Sequence, residues 1–174
     1  SCPIPDPQLE KILTSIRRVL LINLSRVGAS PKYLYFLSTL SLQCFINEYV
    51  YFQTTDEIDS SKQLRDLLTK ALEENQSIPS AWVIAVACYF PLYSIAGAEK
   101  LLRKNYSGNI YSVLVQQIQE PLEELDLRKS IPSLTSIENH ISLKVQSQYE
   151  ENPYPRWTRL PKDSSKKLRV STKF

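Results

Sequence analysis

The chain carries one histidine, His140, and three cysteines, Cys2, Cys44 and Cys88. These are the side chains that most often do acid–base or covalent chemistry, and their setting argues against such a role. A catalytic His140 would need a nucleophile and an orienting acid, but its neighbours Glu138 and Asn139 point elsewhere around a helix. It reads as a surface or boundary residue. Cys44 and Cys88 lie within apolar runs, where a thiol behaves as a small hydrophobe, and no base near Cys88 in sequence would lower its pKa. Three cysteines so widely spaced point to reduced core thiols in a cytoplasmic protein rather than to a disulfide or a metal site. The glutamate pairs Glu73/Glu74, Glu123/Glu124 and Glu150/Glu151 are adjacent, so on a helix their side chains diverge by about 100° and form no two-carboxylate site. The only glycines, Gly28, Gly97 and Gly108, give no phosphate-cradling loop and no nucleophile elbow. The chain by itself therefore reads as non-catalytic, with no cofactor of its own.

Two segments remain chemically distinctive. In "LQCFINEYVYF", Gln43, Asn47, Glu48, Tyr49 and Tyr51 interrupt an apolar run. They form either an interior polar network, closed by tyrosine hydroxyls and backbone groups, or a polar patch facing a partner or ligand. In "QYEENPYPRW", Asn152 and Tyr154 precede prolines and are driven out of helical geometry, so a helix should end near Glu151. Tyr149, Glu150, Glu151, Asn152, Tyr154, Arg156 and Trp157 are then docking candidates on a stiff extended exit, because Tyr, Arg and Trp are the strongest interface anchors. The competing reading is a helix terminator whose aromatics fold back onto their own domain.

The elements that must hold these segments are helical. At 174 residues the chain is the size of one domain able to bury a continuous core. Asp6 and Pro7 open a first helix that Gly28 closes, and its apolar face is Leu9, Ile12, Leu13, Ile16 and Leu20. Ser30 and Pro31 open a second, apolar around most of its circumference and expected at the centre of the fold to about Phe52, with Thr39, Gln43 and Asn47 as a polar stripe. "QTTDEIDSS" reads as a polar break before an amphipathic helix bearing Leu64, Leu67, Leu68, Ala71 and Leu72. "SAWVIAVACYF" reads as a buried helix that Pro91 kinks or ends, and a shorter helix follows over about 94–104. A run over 110–119 is interrupted by Pro121 and weakly continued, and a last helix over about 136–150 carries Ile137, Ile141, Val145 and Tyr149 on one stripe. The fold class is all-α: an irregular bundle or degenerate helical-repeat array of about six to eight helices over 1–151. An extended connector and basic tail occupy 152–174. No fixed period near that of tetratricopeptide-type repeats is present.

The formal charge of +3 is unevenly spread. From Arg156 onward, Arg156, Arg159, Lys162, Lys166, Lys167, Arg169 and Lys173 face the lone acid Asp163, so the preceding body is mildly acidic. That is no nucleic-acid-binding composition. The longest apolar stretch, Tyr33 to Phe52, contains Gln43, Asn47 and Glu48 and does not read as a membrane span, and no signal peptide is visible. The chain begins at Ser1 and has no methionine, which fits either initiator removal or excision from a larger protein.

"QCFINEYVY" and "VQSQYEENPYPRW" together resemble a pair of motifs in a bacterial family assigned as S-adenosylmethionine-dependent methyltransferases, often preceded by tetratricopeptide repeats. The resemblance runs from about Leu9 to Leu160 and touches only the family's helical part. It implies that a Rossmann-like domain with a glycine-rich, S-adenosylmethionine-binding loop should follow "NPYPRW". Here a short basic tail follows, without glycine, so none of the family's cofactor-binding residues has a counterpart. The resemblance implies a helical N-terminal or regulatory module of a methyltransferase, its partner being a methyltransferase domain in cis or another protein. The alternative is a stand-alone helical protein–protein interaction domain.

Overall fold

The computed structural model describes residues 6–24, 30–131 and 140–151, with His140 and 149–151 described by backbone alone. Every element in these residues is helical. They are α1 (Pro7–Ile22), α2 (Pro31–Ile46), α3 (Thr55–Glu73), α4 (Ser80–Ala87), α5 (Gly108–Leu114), α6 (Glu120–Ser130) and α7 (His140–Glu151). Two 3₁₀ segments, Leu92–Ser94 and Ala98–Arg103, lie between α4 and α5. The helices differ widely in length, as an irregular bundle requires. The docking candidates Asn152, Tyr154, Arg156 and Trp157, and the basic tail, lie outside the described residues.

Helix starts follow the side chains that can cap them. The Asp6 carboxylate accepts from the Gln8 and Leu9 amides, with Pro7 in the first turn. At α3 the Thr54 hydroxyl accepts from the Glu57 amide while the Glu57 carboxylate accepts from the Thr54 amide, a reciprocal capping box. This places the start of α3 inside the segment that reads as a polar break in sequence. The acids and serines there satisfy the first turn of a helix instead of a loop.

Other boundaries also differ from the sequence reading, and α1 ends at Ile22, with Asn23 as its cap, rather than at Gly28. The second helix stops at Ile46 rather than near Phe52. The short helix expected over 94–104 is instead two 3₁₀ segments, because Gly97 turns left-handed at φ 77° between them. The expected interruption at Pro121 does not occur either. α5 passes into α6 through a π-helical turn, Val115–Gln119, in which the Glu120 amide donates to the Val115 carbonyl. That wider turn absorbs the missing amide and the ring of Pro121, which an ordinary α-turn would not.

The core centres on α4. Ala81, Val83, Ile84, Ala85, Val86, Ala87 and Cys88 are all essentially inaccessible. Its small and β-branched residues let α2, α3, α1 and α5 approach from several sides. Each large aliphatic side chain buried there contributes about 1.5–3 kcal/mol. α2 is less central than its composition suggests. Its inner face, Leu37, Leu40, Cys44 and Phe45, is buried, but Tyr33, Tyr35 and Phe36 stand in solvent.

Candidate functional site

The turn that follows α2 brings together the residues singled out in "LQCFINEYVYF". Asn47 caps the helix, and Glu48 and Tyr49 both take left-handed backbone conformations, φ 49° and 58°. The Tyr49 amide donates to the Cys44 carbonyl at 2.9 Å and the Glu48 amide to the Phe45 carbonyl at 3.1 Å. This is the Schellman pattern, in which a glycine usually occupies the place Glu48 holds here. Two successive non-glycine residues in this region carry strain on the order of 1–3 kcal/mol each. Surrounding contacts hold it. Asn47 Nδ2 donates to the Val50 carbonyl at 3.1 Å, and the Tyr49 ring meets Phe45 edge-on at 6.4 Å.

The five polar residues do not converge on one point. Tyr49 reaches inward, its hydroxyl donating to Gln117 Oε1 at 3.2 Å. Gln117 sits in the π-turn, fully buried, and its Nε2 donates to the carbonyls of Ser41 at 3.0 Å and Ala87 at 3.1 Å. One side chain thus joins α2, the post-α2 turn and the end of α4. Gln43, Asn47 and Tyr51 instead face α1, where they line a cavity of about 20 Å³ with Leu9, Glu10 and Leu13. Such a space admits one water at most. Burial raises the Tyr51 pKa well above the ordinary tyrosine range.

Beneath this turn lies a charged cluster that sequence reading missed. Arg17 of α1 is buried, 1% exposed. Its Nη2 lies 3.4 Å from Glu57 Oε1 and donates to the Phe52 carbonyl at 3.1 Å. The guanidinium carbon lies over the Tyr89 and Tyr51 rings, 4.5 and 5.1 Å from their centroids. Tyr89 donates to Glu57 Oε1 at 2.6 Å. The Nε and Nη1 of Arg17 have no hydrogen-bond partner and face the cluster with cation–π attraction in its place. Burial, and then the bond to Glu57, push the Tyr89 pKa far up. Close by, the neighbouring Cys44 thiol, together with burial, raises the Cys88 pKa well above the ordinary value. Both thiols are free and buried, as their apolar surroundings predict.

The chemistry this arrangement supports is cohesive rather than catalytic. Arg17 and Glu57 neutralise each other, Tyr89 and Cys88 hold their protons, and all four are closed to solvent. No group of three or more His, Cys, Asp or Glu side chains is placed to hold a metal ion among the described residues. Nor is any helix among them long and apolar enough to cross a membrane. Only the Glu57 half of the cluster had a sequence signal, the Thr54-x-x-Glu57 capping pattern. Arg17 lies in the expected apolar face of α1, between Ile16 and Leu20, and Gln117 carries no local signal at all.

Of the docking candidates, Tyr149, Glu150 and Glu151 belong to α7, and the helix end expected before the prolines lies outside the described residues. The side chains preceding them on that helix are exposed, among them Ile141, Leu143 and Val145. Of the expected stripe, Ile141 and Val145 are exposed, while Ile137 and the Tyr149 side chain lie outside the described residues. No protein-family model matches the chain, and no curated protein and no solved structure matches it.

Proposed function

We propose that the chain is a non-catalytic helical module at the N-terminal side of an S-adenosylmethionine-dependent methyltransferase, and that the cofactor binds in the companion domain. The observation that carries this reading is α7. It precedes "NPYPRW" in the sequence, and its apolar side chains Ile141, Leu143 and Val145 are 45–72% exposed. A helix with an unburied apolar side, followed by a proline-stiffened aromatic exit, suits docking onto a neighbouring domain. The motif resemblance names the class of that domain. The buried reduced pair Cys44 and Cys88 suits a cytoplasmic setting.

The test is binding of the full chain to a separately expressed methyltransferase domain. Trp157→Ala should weaken that binding by at least tenfold, the loss expected of a central aromatic anchor at about 1.4 kcal/mol or more. Calorimetric titration of S-adenosylmethionine into the chain alone should give no heat of binding. Tight cofactor binding by the chain would overturn the reading. Unchanged affinity of Trp157→Ala would reduce the motif to a helix terminator and leave a stand-alone interaction domain as the better account.

A further inference from the structure

α1 and α2 leave an apolar groove between them, lined by Ile16, Val19, Leu20, Tyr33, Phe36 and Leu37, with a volume of about 380 Å³. The gap arises because the two helices rest on other elements: α1 packs chiefly on α3 and α4, and α2 on α4 and α5. Leu20 and Leu37, each 3% exposed, form the floor. Val19 on one side and Tyr33 and Phe36 on the other stand as walls, 58, 60 and 42% exposed. Contiguous open apolar surface of this kind marks a place where a ligand or partner binds.

A single charged side chain lines the groove. Lys32, in the first turn of α2, is exposed and has no ion-pair or hydrogen-bond partner among the described residues. No acidic residue lies between Lys11 and Asn47, and the one acid of α1, Glu10, lines the other cavity with Gln43 and Asn47. The first turn of α2 holds no acid and the Ser30 side chain does not cap it, so the positive end of the helix dipole adds to the Lys32 charge. The groove therefore presents an apolar trough with one unneutralised cation at the end nearest the start of α2.

We propose that the α1–α2 groove binds a free fatty acid of medium chain length, with its carboxylate on Lys32 and its hydrocarbon chain along Leu20, Leu37 and Phe36. Size separates this ligand from a partner helix. One turn of α-helix with its side chains, about 10 Å across and about 5.4 Å high, fills roughly 400 Å³, so the groove would take no more than a single turn. An apolar cavity of about 150 Å³ holds benzene, so about 380 Å³ has room for an apolar body of roughly ten to fifteen carbons. That volume is also within the span of small-molecule sites, about 300–1,000 Å³. The chemistry agrees with the size. A fatty acid needs one cation and an apolar trough, whereas unpaired peptide groups buried here would meet no polar side chain but Lys32 and the Tyr33 hydroxyl. The site is separate from the α7 exit and does not rest on the methyltransferase reading.

Calorimetric titration of the full chain with sodium decanoate, kept below its micelle concentration, tests it. Saturable one-to-one binding is expected, about tenfold tighter than for octanoate because two more methylenes leave water. Lys32→Ala should weaken decanoate about fivefold, the worth of one solvent-screened ion pair, and leave uncharged decan-1-ol unchanged. Phe36→Asp should weaken acid and alcohol alike by at least tenfold, with an unchanged melting temperature because the site is exposed. The split between acid and alcohol in Lys32→Ala keeps the test decisive if Phe36→Asp proves unstable. Absence of saturable decanoate binding overturns the proposal, and so does equal affinity of the wild-type and Lys32→Ala chains for decanoate. Binding to phosphatidylglycerol vesicles without binding of the free acid overturns it by assigning the face to a bilayer. Dimers in sedimentation velocity that Phe36→Asp abolishes, again without decanoate binding, overturn it by assigning the face to a second copy.

Discussion

Arg17 of α1 and Glu57 of α3 form a buried ion pair, 3.4 Å apart with both side chains nearly inaccessible, and Glu57 is at the same time the capping residue of its own helix. The start of α3 is thereby tied to the middle of α1 by one carboxylate. Tyr89 from the end of α4 donates to that same oxygen, so three helices meet at it.

Removing one partner strands the other. Arg17→Ala should destabilise the protein by about 3–5 kcal/mol, most of it the penalty of an unpaired buried Glu57. Arg17→Met with Glu57→Gln should cost far less than the sum of the single changes. A double-mutant cycle from urea unfolding measures the coupling, and additive effects would contradict a shared network.

Alkaline pH should unfold the protein early. Tyr89 and Tyr51 titrate near their ordinary value of 10.0 in the unfolded chain, but folding raises both pKa values. Cys88, ordinarily 9.0, shifts in the same direction. The folded state then binds more protons than the unfolded one above those values. Stability is therefore full below about pH 9 and falls as pH rises beyond it. Melting temperatures from neutrality to about pH 11 should show this decline, and Tyr89→Phe should make it shallower. That variant should also lose about 1.5–3 kcal/mol at neutral pH with its bond to a carboxylate.

Gln117 needs an amide, not merely a polar group. Gln117→Leu should cost about 1–3 kcal/mol by leaving the Tyr49 hydroxyl and two carbonyls without that partner. Gln117→Glu should cost more, because a carboxylate would face two carbonyl oxygens, and its deficit should shrink in acid, where the protonated form can donate one bond. Chemical unfolding at neutral and mildly acidic pH distinguishes the two. Equal deficits at both pH values would show that the carbonyls find other donors.

Gly97 is required for its backbone. At φ 77° an alanine would incur about 1–2 kcal/mol of left-handed strain, although its Cβ would sit at an ordinary 3.7 Å from Leu72. Gly97→Ala should lower stability by that amount without disturbing the core. A larger loss would indicate that the turn transmits strain into α3.

Hydrophobic periodicity and capping chemistry made the helices legible in sequence, because both depend on residues within one or two turns. Asp6 with Pro7, and the apolar run over 81–88, mark α1 and α4 from local pattern alone. The misplaced boundaries have particular reasons. α2 ends in a Schellman turn whose left-handed position is Glu48 rather than glycine, so its stop signal is absent. α3 begins among acids and serines that resemble a loop until Thr54 and Glu57 are seen to cap each other. Pro121 resembles a break until a π-turn makes room for it.

The sequence by itself determined an all-α protein, the buried character of α4 and the buried thiols Cys44 and Cys88. Each of those follows from near-neighbour sterics, capping or the cost of exposing apolar surface. Only the tertiary structure decided that Arg17, Glu57 and Tyr89 form one charged cluster and that Gln117 anchors the turn after α2. It also decided that the outer face of α2 is left open. Those outcomes depend on which helix faces meet in space. Long-range packing sets that, and no local pattern encodes it.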